Sequence, residues 1–256
     1  MAEEGALSYE SYLKVPELLS LQALQSDPPE HDELQFIVVH QTYELWFRLV
    51  LHELDAVSAL LGDGLPRDAA RLVDRCVRVV RVLTDQLDVL ETMRPVDFLR
   101  FRDRLKPASG FQSVQFREIE IVLGFRDPGL LRFFPPGSAA RPRLDARLGT
   151  PSLRDRFLAL VDARLGAGGT EAGRAAALRR LYTDGPDRDL LDLAEALVEL
   201  DERLAIWRYR HVRMAERAIG GGRTGTGGSE GVAYLAETVR RKERAFPELW
   251  AVRAEI

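Results

Sequence analysis

Apolar side chains recur every three or four residues along most of this chain. The longest such run, Leu197, Leu200, Leu204, Trp207, His211, Ala215 and Ala218, contains one imidazole. Residues at these spacings share one face of an α-helix. Pro186 and Asp187 suit the start of that helix and Gly220 its end, so it is predicted over residues 187–219. Helical periods also cover residues 30–62, 66–93, 96–105, 111–124, 152–165, 170–183 and 231–244. Between them stand breakers: Gly62 and Gly64, Pro95, Pro107 with Gly110, and the Pro135-Pro136-Gly137 cluster. No stretch alternates convincingly enough to read as a strand, so the pattern predicts an all-α protein of the helical-bundle type. The Pro-, Gly- and Arg-rich stretch from Phe133 to Pro151 reads as a long excursion, and Gly166 to Gly173 as an exposed turn. Neither divides the chain, so residues 1–256 are expected to form a single domain. No repeat of fixed period is present, which argues against a solenoid.

A lone histidine on an apolar face is equally well a core residue whose two nitrogens meet a backbone carbonyl and a neighbouring side chain. A second helix repeats the pattern, however. Phe36, His40, Phe47 and Leu51 fall on one face of the predicted 30–62 helix, so His40 also points among apolar and aromatic groups. His31 lies in the acidic, proline-containing approach to this helix. His52 sits about a third of a turn round from His40. Both are read as surface or structural residues.

The chain has 256 residues, 46% hydrophobic and 30% charged, enough to bury one sizeable core or two small ones. Its formal net charge of -4, with arginines interspersed among acids along helical faces, argues against a nucleic-acid partner. The first residues, MAEEGALSYE, are acidic and lack an apolar signal core, and no stretch has the uncharged length of a membrane span. A cytoplasmic protein is expected. The single cysteine, Cys76, shares an apolar helix face with Val73, Val80 and Leu83 and is assigned to the core, which excludes disulfides and thiolate metal sites.

Two histidines on separate helices are too few for the usual zinc sites, which take four Cys or His ligands when structural and three protein ligands when catalytic. A carboxylate-bridged di-iron bundle would show Glu-x-x-His pairs on two helices, and this chain has none. A haem asks for less: one axial nitrogen, an apolar pocket and an open face for dioxygen. His211 as axial ligand and His40 as distal base meet that demand, and the residues alone leave it standing beside core packing.

Five segments carry a resemblance. In order, YESYLKVPELLSLQ, HDELQFIVVHQTYELWF, FRDRLKPASGFQSVQFREIE, IWRYRHVRMAERAIG and GTGGSEGVAYL resemble the haem-dependent tryptophan 2,3-dioxygenase family and span most of the chain. The HDE run leading to HQ-x-x-ELW, the SGFQS run, and W-R-x-R-H followed by GTGG are specific in combination. The resemblance implies a haem b pocket between long helices, with His211 as axial iron ligand and Trp207 beside it, and His40 contacting the indole N–H. It places Phe36 in the indole pocket and Leu105 among the substrate-binding residues. Arg102 then grips the substrate carboxylate, and Thr226 with Gly225 meets the ammonium and carboxylate. It further implies a homotetramer in which Tyr9, Tyr12 and Leu13, within an N-terminal segment of residues 1–20, reach a neighbouring subunit's pocket. The alternative for those three is a short amphipathic helix docked on its own core; for Arg102, a side chain reaching to water from an apolar edge; for the glycine loop, a linker.

The implied reaction inserts both atoms of dioxygen across the 2,3 bond of the indole of L-tryptophan, giving N-formylkynurenine. Three departures from the family pattern stand near the site: Phe98 where tyrosine is common, a longer and more glycine-rich stretch between Ala218 and Gly225, and an end soon after Trp250. They leave room for a pathway-specialised monooxygenase acting on tryptophan or a substituted, for example methylated, tryptophan to give a 2-oxindole or 3-hydroxylated product. A helical scaffold or sensor that has lost catalysis is the non-enzyme alternative.

Overall fold

A computed structural model of the protein describes residues 7–221, 232, 235–236, 239 and 244–256. In chain order the helices are α1 (Tyr9–Leu13), α2 (Val15–Leu18), α3 (His31–Gly62), α4 (Pro66–Leu90), α5 (Pro95–Arg102), α6 (Val114–Leu123), α7 (Arg141–Leu148), α8 (Leu153–Leu165), α9 (Glu171–Asp184), α10 (Arg188–Ile219) and α11 (Pro247–Ala251). No strand occurs among the described residues, so the fold is all-α. The predicted ends shift where the cap chemistry dictates. The 96–105 segment becomes α5 followed by a single tight turn, Asp103–Leu105, and the 111–124 segment opens with another, Gly110–Gln112. Asp187 caps α10 by accepting the N–H of Leu190 at 3.1 Å, and Gly220 ends it with φ 73°. Of the predicted 231–244 helix, Val232, Leu235, Ala236 and Val239 are helical; its other residues, up to Arg244, lie outside the description or outside the helix.

Three long helices set the frame. A tight turn at Asp63–Leu65 folds α4 back along α3, and the pairing runs antiparallel: the Tyr43 hydroxyl donates to the carbonyl of Leu83, and Arg75 donates to Glu53 at 2.7 Å. Between α4 and α10 the ion pairs Arg81–Glu199, Arg210–Asp88 and Arg217–Glu91 advance together along both sequences, so those helices run parallel. The start of α3 and the ends of α4 and α10 therefore meet at one end of the layer. His40 lies in the first third of α3 and His211 in the last third of α10, so topology brings two residues distant in sequence to that same end.

The core is hydrocarbon. Leu54, Val57, Val73, Cys76, Leu87, Leu193 and Leu197 have essentially no exposure. Leu54→Ala is expected to cost about 2–5 kcal/mol by cavity creation, read from a denaturant midpoint shift. Asp201, buried on α10, accepts the N–H groups of Ala245 and Phe246 at 2.7 and 3.2 Å and that of the Trp250 indole at 3.1 Å, which fastens the start of α11 to α10.

The excursion from Phe133 to Pro151 contains an unforeseen helix, α7, which packs on α6 through a second apolar cluster of Ile121, Leu130, Phe134 and Leu144. Its Arg143 and Arg147 reach the buried carboxylate of Glu118, and Arg147 also reaches Asp55. At the other end of the chain α1 forms, yet Tyr9 and Tyr12 remain 76% and 70% exposed, so that helix does not dock on its own core.

Candidate functional site

Along α10 the apolar stripe changes character. Leu197, Leu200, Leu204 and Trp207 are buried, whereas His211, Ala215 and Ala218 on the same face are only half-buried. The stripe of α3 does the same in reverse: Phe47 and Leu51 are buried, Phe36 is half-buried and His40 is open. The reason is a cavity of about 720 Å³, in the size range of small-molecule sites, onto which both stretches face. Neither imidazole is packed in the core, the alternative that the apolar stripes left open. Both line this space, His40 exposed to it and His211 half-buried against it.

Aromatic groups form much of the wall. Phe36 lies 4.0 Å from the His40 ring and 5.5 Å from Phe98, centroid to centroid. Trp207 stacks on His211 at 5.6 Å with the rings tilted by 24° and donates its indole N–H to the Tyr43 hydroxyl at 3.4 Å. These contacts hold the two imidazoles from behind and leave their free edges to the cavity.

Nδ1 of His40 lies 2.7 Å from the carbonyl oxygen of Phe36, one turn earlier. A carbonyl only accepts, so Nδ1 carries the proton and Nε2 presents a lone pair to the cavity. Burial lowers the pKa of His40, outweighing the opposing effects of that hydrogen bond and of Glu44, so the ring is neutral near pH 7. Burial, reinforced by His40, pushes His211 down to about 4. His211 makes no hydrogen bond among the described residues, so its nitrogens are uncommitted.

Arg102, at the end of α5, is buried and lines the cavity with Phe98 and Leu105; it does not reach out to water. Asp103 stands 3.9 Å from its guanidinium. Gly225 and Thr226 lie outside the described residues. Tyr9, Tyr12 and Leu13 are not on the wall of their own chain's cavity.

Sequence reasoning missed a group of buried charges on the same wall. Arg117 donates to Glu120 at 2.5 Å, and Arg208 lies 3.5 Å from the other oxygen of that carboxylate. Nε of Arg117 is buried without a partner. Arg208 also lies over the Phe125 ring at 4.5 Å. Their polar letters on helix faces read as solvated charge. The available signal was that Arg208 stands next to Trp207 on the stripe face, and Arg117 beside Phe116.

A largely apolar cavity with a few convergent polar groups at one end of a helical layer defines a small-molecule-binding helical protein. The family model for tryptophan 2,3-dioxygenase matches residues 1–133 and 152–256, leaving out a stretch that contains α7. Proteins named tryptophan 2,3-dioxygenase from Nocardioides sp. and Herpetosiphon aurantiacus are 49% and 45% identical to this chain, covering 99% and 98% of it and 97% and 99% of their own lengths. One from Anaeromyxobacter sp. is 43% identical over 100% of this chain and 98% of its own. The chain belongs to the tryptophan 2,3-dioxygenase family, a family of haem-dependent oxidoreductases.

Proposed function

We propose that the protein inserts both atoms of dioxygen across the 2,3 bond of the indole of L-tryptophan, giving N-formylkynurenine, with haem b as its cofactor. The observation that carries this reading is that His40 and His211, from antiparallel helices, face one aromatic cavity with buried Arg102 on its wall. The relatives' names favour the dioxygenase over a monooxygenase or an inactive scaffold.

The residues present fit a haem. No cluster of three or more His, Cys, Asp or Glu able to hold a bare metal ion occurs among the described residues, whereas haem iron needs one protein nitrogen, and His211 has one to give. The orphaned Nε of Arg117 suits a carboxylate of the macrocycle. Trp207 would fix the plane of the axial ring. When bound, ferrous haem supplies the activation of dioxygen.

The rest is positioning by the chain. Nε2 of His40 accepts the indole N–H and sets the ring's orientation, and Phe36 and Leu105 pack its faces. Arg102 pairs with the substrate carboxylate, and Thr226 with Gly225 holds the ammonium and carboxylate end. The exposed side chains of Tyr9, Tyr12 and Leu13 suit insertion into a neighbouring copy in a homotetramer. We further infer one domain over residues 1–256 and, from a lone buried cysteine, a cytoplasmic location. No described helix is long and apolar enough to cross a membrane.

Mass spectrometry after incubation with L-tryptophan, a reductant and isotopically labelled dioxygen tests the reading: N-formylkynurenine carrying both labelled oxygens is expected, and a singly labelled or absent product overturns it. Arg102→Ala is expected to raise KM for tryptophan about tenfold to a hundredfold, the worth of a hydrogen bond to a charged group, with haem absorbance retained. An unchanged KM would remove Arg102 from substrate binding.

A further inference from the structure

The acidic end of the His31-Asp32-Glu33 run has no part in the reading above. Glu33 sits in the first turn of α3, is fully buried, and lines the cavity. Two turns separate it from His40, so the two share a helix face. Its carboxylate is engaged from outside the helix. One oxygen accepts the N–H of Gln25 at 2.7 Å; the other accepts the N–H of Ser26 at 3.0 Å and the Ser26 hydroxyl. The Ser26 oxygen in turn accepts the N–H of Glu30 at 2.8 Å.

These bonds hold a stretch that has no regular structure of its own. Leu21–Ser26 is neither helix nor strand; beyond the backbone bonds made by the N–H groups of Leu21 and Ala23, it is held by side chains. Besides Glu33, Gln41 donates to the carbonyl of Leu21 at 3.0 Å and accepts from Gln22 at 2.6 Å, and Arg104 donates to the carbonyl of Asp27 at 2.8 Å. Ala23 and Gln25 on this strap line the cavity. The exposed arm that bears Tyr9 and Tyr12 lies immediately before it.

We propose that Glu33 is a positioning residue for the substrate: its carboxylate pins the Leu21–Ser26 strap as one wall of the cavity and so sets the space in which tryptophan is bound. Only an ionised carboxylate suits three donors converging on two oxygens, because an amide would turn an NH₂ toward a donor. Burial alone would raise its pKa, but the Ser26 hydroxyl, the N–H groups of Gln25 and Ser26, and the charge of Arg104 together hold it below the usual carboxylate range. The choice of substrate rests on the oxygenase reading; the strap's attachment does not.

The test is Glu33→Gln in the full-length holoenzyme, read by steady-state kinetics, haem absorbance and limited chymotrypsin cleavage after Leu21 and Leu24. KM for tryptophan is expected to rise about tenfold or more while kcat changes less than about threefold, because a misplaced wall weakens binding more than chemistry. Haem content stays at the wild-type level, and the strap is cut faster. Ser26→Ala, which removes one of the three donors, gives the same changes to a smaller extent and serves if Glu33→Gln does not fold. Unchanged KM and cleavage, or a fall in kcat and haem content at constant KM, overturns the proposal. If wild-type protein does not turn over tryptophan, the oxygenase reading fails, and the cleavage comparison still decides the strap's attachment.

Discussion

His211→Ala is expected to abolish stoichiometric haem binding and with it all oxygenation of tryptophan. In the proposed reading the imidazole is the nitrogen donor that α10 presents to the cavity, and its loss is expected to lower haem affinity by at least about a hundredfold, about 2.7 kcal/mol. The apoprotein should fold normally, because His211 is half-buried against the cavity and makes no hydrogen bond among the described residues that its loss would break. Far-ultraviolet circular dichroism of the variant should match wild type while the Soret band is lost, and free imidazole should restore part of that band. The pH dependence has a definite sign. Burial pushes His211 down to about 4, so its nitrogen is unprotonated at neutral pH and available to iron. Acid protonates it and releases haem, and the release should lie below the ordinary histidine range. A variant with an undiminished Soret band would refute the axial assignment.

The long helices and the two histidine-bearing stripes are legible in the sequence because a 3.6-residue period directly encodes which face meets the rest of the protein. That period cannot distinguish an apolar face covered by protein from one left facing a cavity. Leu200 and Ala215 obey the same spacing on α10, yet the first is buried and the second lines the site. For the same reason the period alone does not separate a cavity-facing His211 from one packed in the core. Buried charge is hidden differently. Arg117, Glu120 and Arg208 are polar letters that meet one another across α6 and α10, a pairing no local window contains. In α7, Pro142 occupies the first turn, where its missing N–H costs nothing, and Arg143 and Arg147 are held by Glu118 and Asp55 from other helices, so a breaker-rich composition conceals a helix. The strap is another case: Glu33 is visible, but the N–H groups it satisfies are backbone and leave no mark on the sequence.

His40→Ala is expected to leave haem binding intact and to lower kcat by about a hundredfold, the typical cost of misplacing a reacting group by about 1 Å. The residue does not touch the iron in this reading. Its contribution is a fixed lone pair, set by the Nδ1–H bond to the Phe36 carbonyl, which holds the indole N–H in one orientation. That role requires the neutral ring. Because burial lowers its pKa, the activity of the wild-type enzyme should be level through neutrality and fall only as pH drops below the ordinary histidine range, where protonation turns the acceptor into a donor. His40→Ala should lack that acid limb down to the pH at which haem is released, and a substrate methylated at the indole nitrogen should narrow the rate difference between variant and wild type, since it offers no N–H to accept. Should the variant keep the wild-type acid limb, or should methylation leave the rate difference unchanged, the orienting hydrogen bond would have to come from another group on the cavity wall.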